Sequence, residues 1–369
     1  MAITITKEPE NIYPAYNDSF IEFSSDLADN NKAEITVYPT SIFTKVFVLY
    51  PDADGNYLFN LKEVVKVIFN QSGFKDSNFF TTSYSKSITG LYLLQEITIK
   101  VYNDITSEFE SNAYEFYKAV KQIGENITVN PFQLLSYSPN GIDHALTYFE
   151  GFPFHFDLQR VKWAGKEITV KSLNSGNTSD VFLVTAAGAF RINIDRGGGN
   201  NWTSDNVLPL MTGLNRLEIL ENGVFKSNLW LTKKEKCNGI YLKWFNRDGG
   251  FSHFLFDKYF IESVTGKDIG TIGNDEFNNI ESITGELLSI GKEASRSFIL
   301  KASYNKDEYE ILKDIFTSPF VQVYTSFEAY VEGRFIDVSI NGSLSNSNKK
   351  TNNEIAINVE LPEMITAKL

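Results

Sequence analysis

Cysteine is almost missing. Cys237 stands alone in 369 residues, so the chain can form no internal disulfide and no cysteine-built zinc site. Histidine is nearly as scarce, with His144, His155 and His253 the whole supply, which leaves few candidates for the base of a nucleophile–base–acid triad. No Gly-x-Ser-x-Gly elbow is present. A basic surplus is also lacking: 46 acidic against 34 basic residues give a formal charge of -12, the wrong sign for holding nucleic acid by phosphate neutralisation. No uninterrupted apolar run approaches the roughly 20 residues needed to span a bilayer. Met1–Glu10 has no basic segment, apolar core or cleavage site of a secretory leader, so the expectation is a protein made in a cytoplasm without Sec-type export and without a membrane partner.

What the sequence has in quantity is aromatic residues, with 30 Phe and 18 Tyr, a composition that suits sheets and wide contact surfaces. Its 42% hydrophobic and 22% charged residues are those of a folded globular chain. The pattern predicts a mainly β (α+β) fold: β-sandwich or split-barrel domains with a few flanking helices. Three domains are expected. Residues 1–140 form a β-rich domain with two helices, 141–285 a β-rich middle domain, and 286–369 a unit of strand, helix and three strands.

The N-terminal third predicts two strands between Ala33 and Tyr50, separated at Pro39, and a turn at Asp54-Gly55. Leu61–Phe69 has helical spacing, and Leu91–Tyr102 alternates as a half-buried strand does. Asn112–Ile123 predicts a second helix, with Tyr114, Tyr117 and Val120 on one face. The turn-rich stretch Ser136–Asp143 sets the first boundary. Beyond it, short strands are expected at Glu167–Val170, Val181–Val184, Ala189–Ile194, Leu217–Leu220, Gly239–Phe245 and Phe251–Phe256, with a loop at Asp195–Asn201 and a second soft segment at Gly266–Asn279. In the last third, Ser297–Ala302 is a strand. Asn305 caps a helix carrying acids in its first turn, Leu312, Ile315 and Phe316 face inward, and Ser318-Pro319 stops it. Strands at Phe320–Tyr324, Arg334–Ile340 and Ile355–Leu361 follow, with a polar flap at Asn346–Asn353.

Each candidate for chemistry has a plainer explanation. His155 and Asp157, two apart on a strand, face the same side, but Phe152, Phe154 and Phe156 make that strand a core element. His253 lies among aromatics, and His144 sits in a turn. Asp52, Asp54, Asn56, Asn60 and Glu63 partly match a calcium loop; Tyr57 occupies the place that needs glycine, so a plain turn is preferred. Gly197-Gly198-Gly199 lacks the phosphate-cradle spacing. Cys237 follows Lys233, Lys234 and Lys236, and without a nearby histidine reads as a bystander thiol. The expectation is no catalytic residue, no cofactor and no metal.

The remaining feature is the string Tyr241-Leu242-Lys243-Trp244-Phe245-Asn246-Arg247-Asp248-Gly249-Gly250-Phe251-Ser252-His253-Phe254-Leu255-Phe256, two aromatic strands around a glycine turn. Leu242, Trp244 and Phe254 are expected on a core face, Tyr241 and Phe245 on the opposite one.

That string resembles a motif in structural proteins of tailed bacteriophages infecting Bacteroidetes, including crAss-like and Flavobacterium phages. Asn11–Asp18 is similar to their P-A-Y-N opening, and Gly151–Asp157 to a G-x-P-F-D element with an inserted His-Phe pair. Thr317–Val321 and Phe335–Val338 resemble their closing strands, although Asp337 stands where proline is expected. The resemblance implies a virion protein of the phage tail, at the tip, baseplate or hub, with a tail-tube-like C-terminal unit. Its expected partners are copies of itself in a ring and neighbouring tail or baseplate proteins, and DNA would pass through an acidic bore without specific binding. Tyr241, Phe245, Phe251, Trp202 and Trp230 are the candidate interface aromatics. The competing readings are a host-glycan receptor-binding module of the tail tip, using Trp202 or Trp230, and a capsule-degrading enzyme.

Overall fold

The structure, a computed structural model, describes residues 3–10, 12–27, 32–40, 43–71, 73–76, 85–88, 90–103, 105–125, 132–160, 166–179, 182–184, 188–196, 210–235, 237–274, 286–324, 335–345, 353–364 and 366. The chain is mainly β, with several sheets, sandwich layers and few helices. It divides into two compact units, residues 1–235 with 245–252, and residues 236–244 with 253–369.

Among its described residues the first unit holds two hydrophobic core clusters. Around one lie a three-stranded sheet (Ile3–Lys7, Phe20–Ser25, Tyr57–Asn60) and a five-stranded sheet in the order Ile12–Pro14, Ser107–Tyr117, Tyr92–Tyr102, Lys32–Thr40, Phe43–Leu49. Alternation explains the burial. Ala33, Ile35 and Val37 stand opposite Val101, Ile99 and Ile97 in antiparallel register, so one face of each strand is apolar and points inward. Ile21, Phe23 and Tyr57 come from the smaller sheet, and helix Lys62–Gln71 adds Val65 and Phe69.

Around the other core, the sheet Phe132–Leu134, Pro153–Arg160, Gly188–Arg196, Ser85–Ile88 and the sheet Asp143–Phe149, Val224–Lys234, Gly213–Glu221, Lys166–Ser172, Phe182–Val184 contribute alternate residues. Phe154, Phe156 and Leu158 from one sheet and Leu217, Ile219, Leu229 and Leu231 from the other are fully or almost fully buried. Each such side chain contributes about 1.5–3 kcal/mol of transfer free energy. Ser85–Ile88 pairs with Gly188–Arg196, so this sandwich draws a strand from the region the sequence assigned to the N-terminal domain.

The second unit is built on a seven-stranded sheet in the order Phe251–Phe256, Ile240–Phe245, Val321–Tyr324, Phe335–Ser343, Asn353–Glu360, Glu286–Tyr304, Tyr259–Asn274. Its helix, Lys306–Leu312, starts as the sequence implies: Asn305 accepts from the Glu308 amide and the Glu308 side chain accepts from the Asn305 amide, a reciprocal capping box. Ile311, Leu312 and Ile315 are buried, while Phe316 is half-buried. From Glu286 onward the order is strand, helix and three strands. Tyr259–Asn274 pairs along its length with Glu286–Tyr304, so residues on the two sides of the expected division near 285 share one hairpin.

Three local expectations need correcting. Asn112–Ile123 is no helix: Ser107–Tyr117 is a strand paired with Tyr92–Tyr102, and Tyr114 and Phe116 alternate into the core. The N-terminal region therefore has one helix among its described residues. Gly266–Asn274, expected as a soft segment, continues a regular strand. His144 lies in strand Asp143–Phe149 and not in a turn. Residues 197–201, 275–279 and 346–352, where a loop, a soft segment and a flap were expected, lie outside the described residues.

Candidate functional site

The aromatic hairpin is the place to build from, because its strands and turn fall where the sequence puts them. In its turn, the Asn246 amide donates to Gly250 O at 2.9 Å, and Gly249 has φ +90°, a conformation open to glycine. A second reason for the glycine pair appears only in three dimensions. A Cβ on Gly249 would lie 2.8 Å from Lys118 O, and one on Gly250 would lie 2.4 Å from Leu135 O. The turn is pressed against two backbone segments that any side chain would push away.

Polar groups fix that seat. Asn246 Nδ2 donates to Leu135 O at 3.0 Å and to Ser252 Oγ at 3.1 Å, while its Oδ1 accepts from Gly250 N at 2.9 Å. Val120 N donates to Arg247 O at 2.8 Å. Asp248 accepts from Lys121 Nζ at 2.5 Å, and Arg247 pairs with Glu125 at 3.0 Å while covering the Tyr137 ring. Buried charges of this kind are tolerated when paired and hydrogen-bonded.

Aromatics fill the space beside the turn. Phe245 meets Phe251 and Phe74 edge-on at 5.6 and 5.2 Å, a favoured ring geometry. Lys118 Nζ sits 4.4 Å over Phe74 and donates to Phe69 O in the last turn of the helix and to Gly73 O just past it. Burial pushes the Lys118 ammonium down to about 8.

Below Phe251 lies a buried ion network. Arg191 donates through Nε and Nη2 to Asp157 at 2.7 and 3.0 Å and through Nη1 to both Asp76 oxygens at 2.8 and 2.9 Å, with its guanidinium 5.4 Å from the Phe251 ring. Burial opposes its charge, and the two carboxylates overcome that, holding its pKa above the usual value. His155 does lie on the same side as Asp157, with Nε2 3.8 Å from Oδ2, but Asp157 is already held bidentately by the guanidinium. His144 accepts or donates at Nδ1 to Ser136 Oγ at 2.9 Å, and burial pulls its pKa down to about 4. It is neutral at physiological pH.

In the second unit, Tyr241 stacks on His253 at 5.9 Å and meets Tyr324 edge-on at 6.3 Å. Lys243 lies 4.1 Å over Phe335. The two-faced expectation for this hairpin is therefore incomplete: Tyr241 to Phe256 is buried throughout, on both faces. Tyr241, Phe245 and Phe251, candidates for contact with other subunits, are occupied by their own chain. Trp230 is half-buried in strand Val224–Lys234 with the Arg216 guanidinium 4.6 Å over its ring. Trp202 lies outside the described residues.

No family matches the sequence, nor does any curated protein. Solved structures match weakly. A tetra-tandem repeat from the extending region of a large adhesion protein is 11% identical, covers 82% of this chain and 69% of its own, and gives a TM-score of 0.25. A titin immunoglobulin tandem is 7% identical, with coverage of 64% and 98% and a TM-score of 0.21. Salmonella alpha-2-macroglobulin is 9% identical, with coverage of 100% and 30% and a TM-score of 0.21. Scores this low carry no argument about function.

The other chemical candidates take ordinary places. Asp52 Oδ1 accepts from the amides of Asp54 and Asn56 at 2.9 and 2.8 Å, a side-chain turn that occupies one oxygen of the first calcium-loop position. Cys237 Sγ donates to Asp257 Oδ2 at 3.8 Å. Gly197, Gly198 and Gly199 lie outside the described residues. Among the described residues no group of three or more His, Cys, Asp or Glu is placed to hold a metal.

Sequence reasoning missed one feature. Every residue from Asp257 to Ile269 is exposed, although Tyr259–Asn274 is a regular strand. Its partner Glu286–Tyr304 joins the neighbouring strand Asn353–Glu360 only from Ser297 onward, and Leu361 and Met364 extend that contact to Ala294. Beyond Ala294 the hairpin has two strands and no sheet neighbour among the described residues, a projecting arm of about 25 Å. Ile269 and Ile272 are 42% and 53% exposed along it. Phe260, Ile261 and Val264, beside the part of Glu286–Tyr304 that still adjoins Asn353–Glu360 and Leu361, are 50%, 40% and 59% exposed. The signal was present in Tyr259-Phe260-Ile261-Glu262-Ser263-Val264-Thr265, a β-favouring run; Gly266, Gly270 and Gly273 disguised its continuation.

Proposed function

We propose that this chain is a structural component of a phage tail, at the tip, baseplate or hub, that works by subunit contacts around a DNA channel and transforms no substrate. The projecting arm carries the proposal. A two-stranded ribbon with both faces in water is marginal alone, and an exposed, apolar edge strand is a template for another chain. In a solitary protein such an arm is a liability; in an assembly it is a joint. The four sequence patches that resemble tail proteins support the same reading, as does the acidic total charge, which would keep a passing genome from adhering.

The glycan-binding alternative has less behind it, because the Arg216 guanidinium already occupies one face of the Trp230 ring. Gold-labelled antibody against this chain, applied to phage particles and viewed by electron microscopy, is expected to mark the tail, and negative stain of the purified chain is expected to show closed rings. Particles that carry no label, together with a protein that remains monomeric at every concentration, would overturn the reading.

A further inference from the structure

Beside the glycine turn lie two polar atoms for which the fold supplies no partner. His144 Nε2 and Asp248 Oδ2 are both buried, and neither has a hydrogen-bond partner among the described residues. Such atoms are rare in folded proteins, because water is lost and nothing replaces it. The opposite end of each side chain is engaged: His144 Nδ1 meets Ser136 Oγ at 2.9 Å, and Asp248 Oδ1 accepts from Lys121 Nζ at 2.5 Å. Close backbone packing brings their segments together. Ser136 follows Leu135, whose carbonyl presses on Gly250, and Tyr117 precedes Lys118, whose carbonyl presses on Gly249. Asp248 stands in that same turn, and the Tyr117 side chain is fully buried.

The Asp248 charge acts on both the His144 ring and the Tyr117 phenol, yet the imidazole and the carboxylate are too far apart for a direct hydrogen bond. A gap between buried polar groups is where proteins hold internal water, which makes about three hydrogen bonds. No ion is called for. Lys121 already pairs with the carboxylate, and burial keeps the ring neutral although Asp248 and Asp143 favour its charge and Lys121 opposes it.

We infer that this gap is a binding site for one water molecule, held by His144 Nε2–H, Asp248 Oδ2 and the Tyr117 hydroxyl. The ring and the phenol donate to the water, and the water donates to the carboxylate. Ser136 gives its hydroxyl proton to Nδ1, which fixes the Nε2–H tautomer; the other tautomer would set a bare nitrogen in the field of the Asp248 charge. Strand Asp143–Phe149, strand Ser107–Tyr117 and the glycine turn are thereby joined through a single buried solvent molecule. The inference is independent of the tail reading, since every group belongs to the first unit of one chain.

With only 3 histidines in the chain, the ring can be observed directly. Long-range proton–nitrogen spectra of the full chain, with the His144 signals identified by their loss in His144→Gln, are expected to show a neutral ring protonated at Nε2, its proton slow to exchange and in contact with a long-lived water. A ring protonated at Nδ1, or a charged ring at neutral pH, would overturn the inference. A high-resolution crystal structure of the chain is expected to place one water within hydrogen-bond reach of His144 Nε2 and Asp248 Oδ2; a dry gap or a direct contact between the two would overturn it. His144→Phe keeps a ring and removes both nitrogens, so water-oxygen relaxation should count one long-lived water fewer than in the parent, and an equal count in the folded variant would refute the site. If His144→Phe does not fold, the spectra and the density of the parent chain decide.

Discussion

Two consecutive hairpins of this chain, Ile240–Phe256 and Tyr259–Tyr304, are made of similar residues and meet opposite fates. The first is aromatic and buried from Tyr241 to Phe256, its turn pressed onto Lys118 O and Leu135 O. The second begins with Tyr259, Phe260 and Ile261 and is exposed from Asp257 to Ile269. Hydrophobicity alone does not separate them. The difference is what the rest of the chain supplies: Asn246, Arg247 and Asp248 find a carbonyl, an acid and an amine in distant segments, whereas the arm's charged residues pair mostly with each other, as Arg296 with Glu262 and Lys292 with Asp268. A β-rich motif is thus buried or exposed according to its partners.

The contrast can be broken most severely beneath the first hairpin. Arg191→Ala would leave Asp157 and Asp76 as buried acids without their cation, at a cost of about 3–5 kcal/mol, read as a lower midpoint in urea unfolding; Arg191→Ala that melts with the parent chain would show the network to be dispensable. Acid provides the next largest effect. With His144 held near 4 in the folded protein by burial and near 6.5 unfolded, its contribution is intact above pH 6.5 and lost as pH falls toward 4, on the order of 3 kcal/mol. The difference in unfolding free energy between parent and His144→Gln should therefore narrow over that window, and a constant difference would refute the assignment. Gly250→Ala should cost about 1–3 kcal/mol by overpacking against Leu135. Ile269→Lys, at the exposed arm, should change monomer stability by less than about 0.5 kcal/mol. If Ile269→Lys destabilised the folded monomer as much as Gly250→Ala, the distinction between the two hairpins would fail.

The local parts of this fold were readable where burial had a clean period. Phe251–Phe256, the capped helix after Asn305 and the turn at Asp54-Gly55 followed from residue type and spacing. Asn112–Ile123 misled because Tyr114, Tyr117 and Val120 imitate one face of a helix, while pairing with Tyr92–Tyr102 imposes period two on the same residues. His144 was misplaced because the turn signals at Ser138–Gly141 end just before the strand. The seat of the turn at Gly249-Gly250 was illegible for a different reason: its partners, Lys118 and Leu135, lie more than a hundred residues earlier, and nothing local encodes that approach. The same distance hid Asp76 and Arg191 as a pair. The burial of Tyr241, Phe245 and Phe251 within their own chain was not legible, since an aromatic strand looks the same in sequence whether its second face meets solvent or protein.

The separation between Leu135 and Asn246, 111 residues, also has a consequence during synthesis. Translation adds about 5–20 residues per second, so Leu135 emerges from the ribosome roughly 5–20 s before the turn that seats on it. For that interval the carbonyls of Lys118 and Leu135 and the side chain of Phe74 face water or a chaperone, and the nascent first unit waits, unfinished, for the arrival of five residues from a later part of its own message.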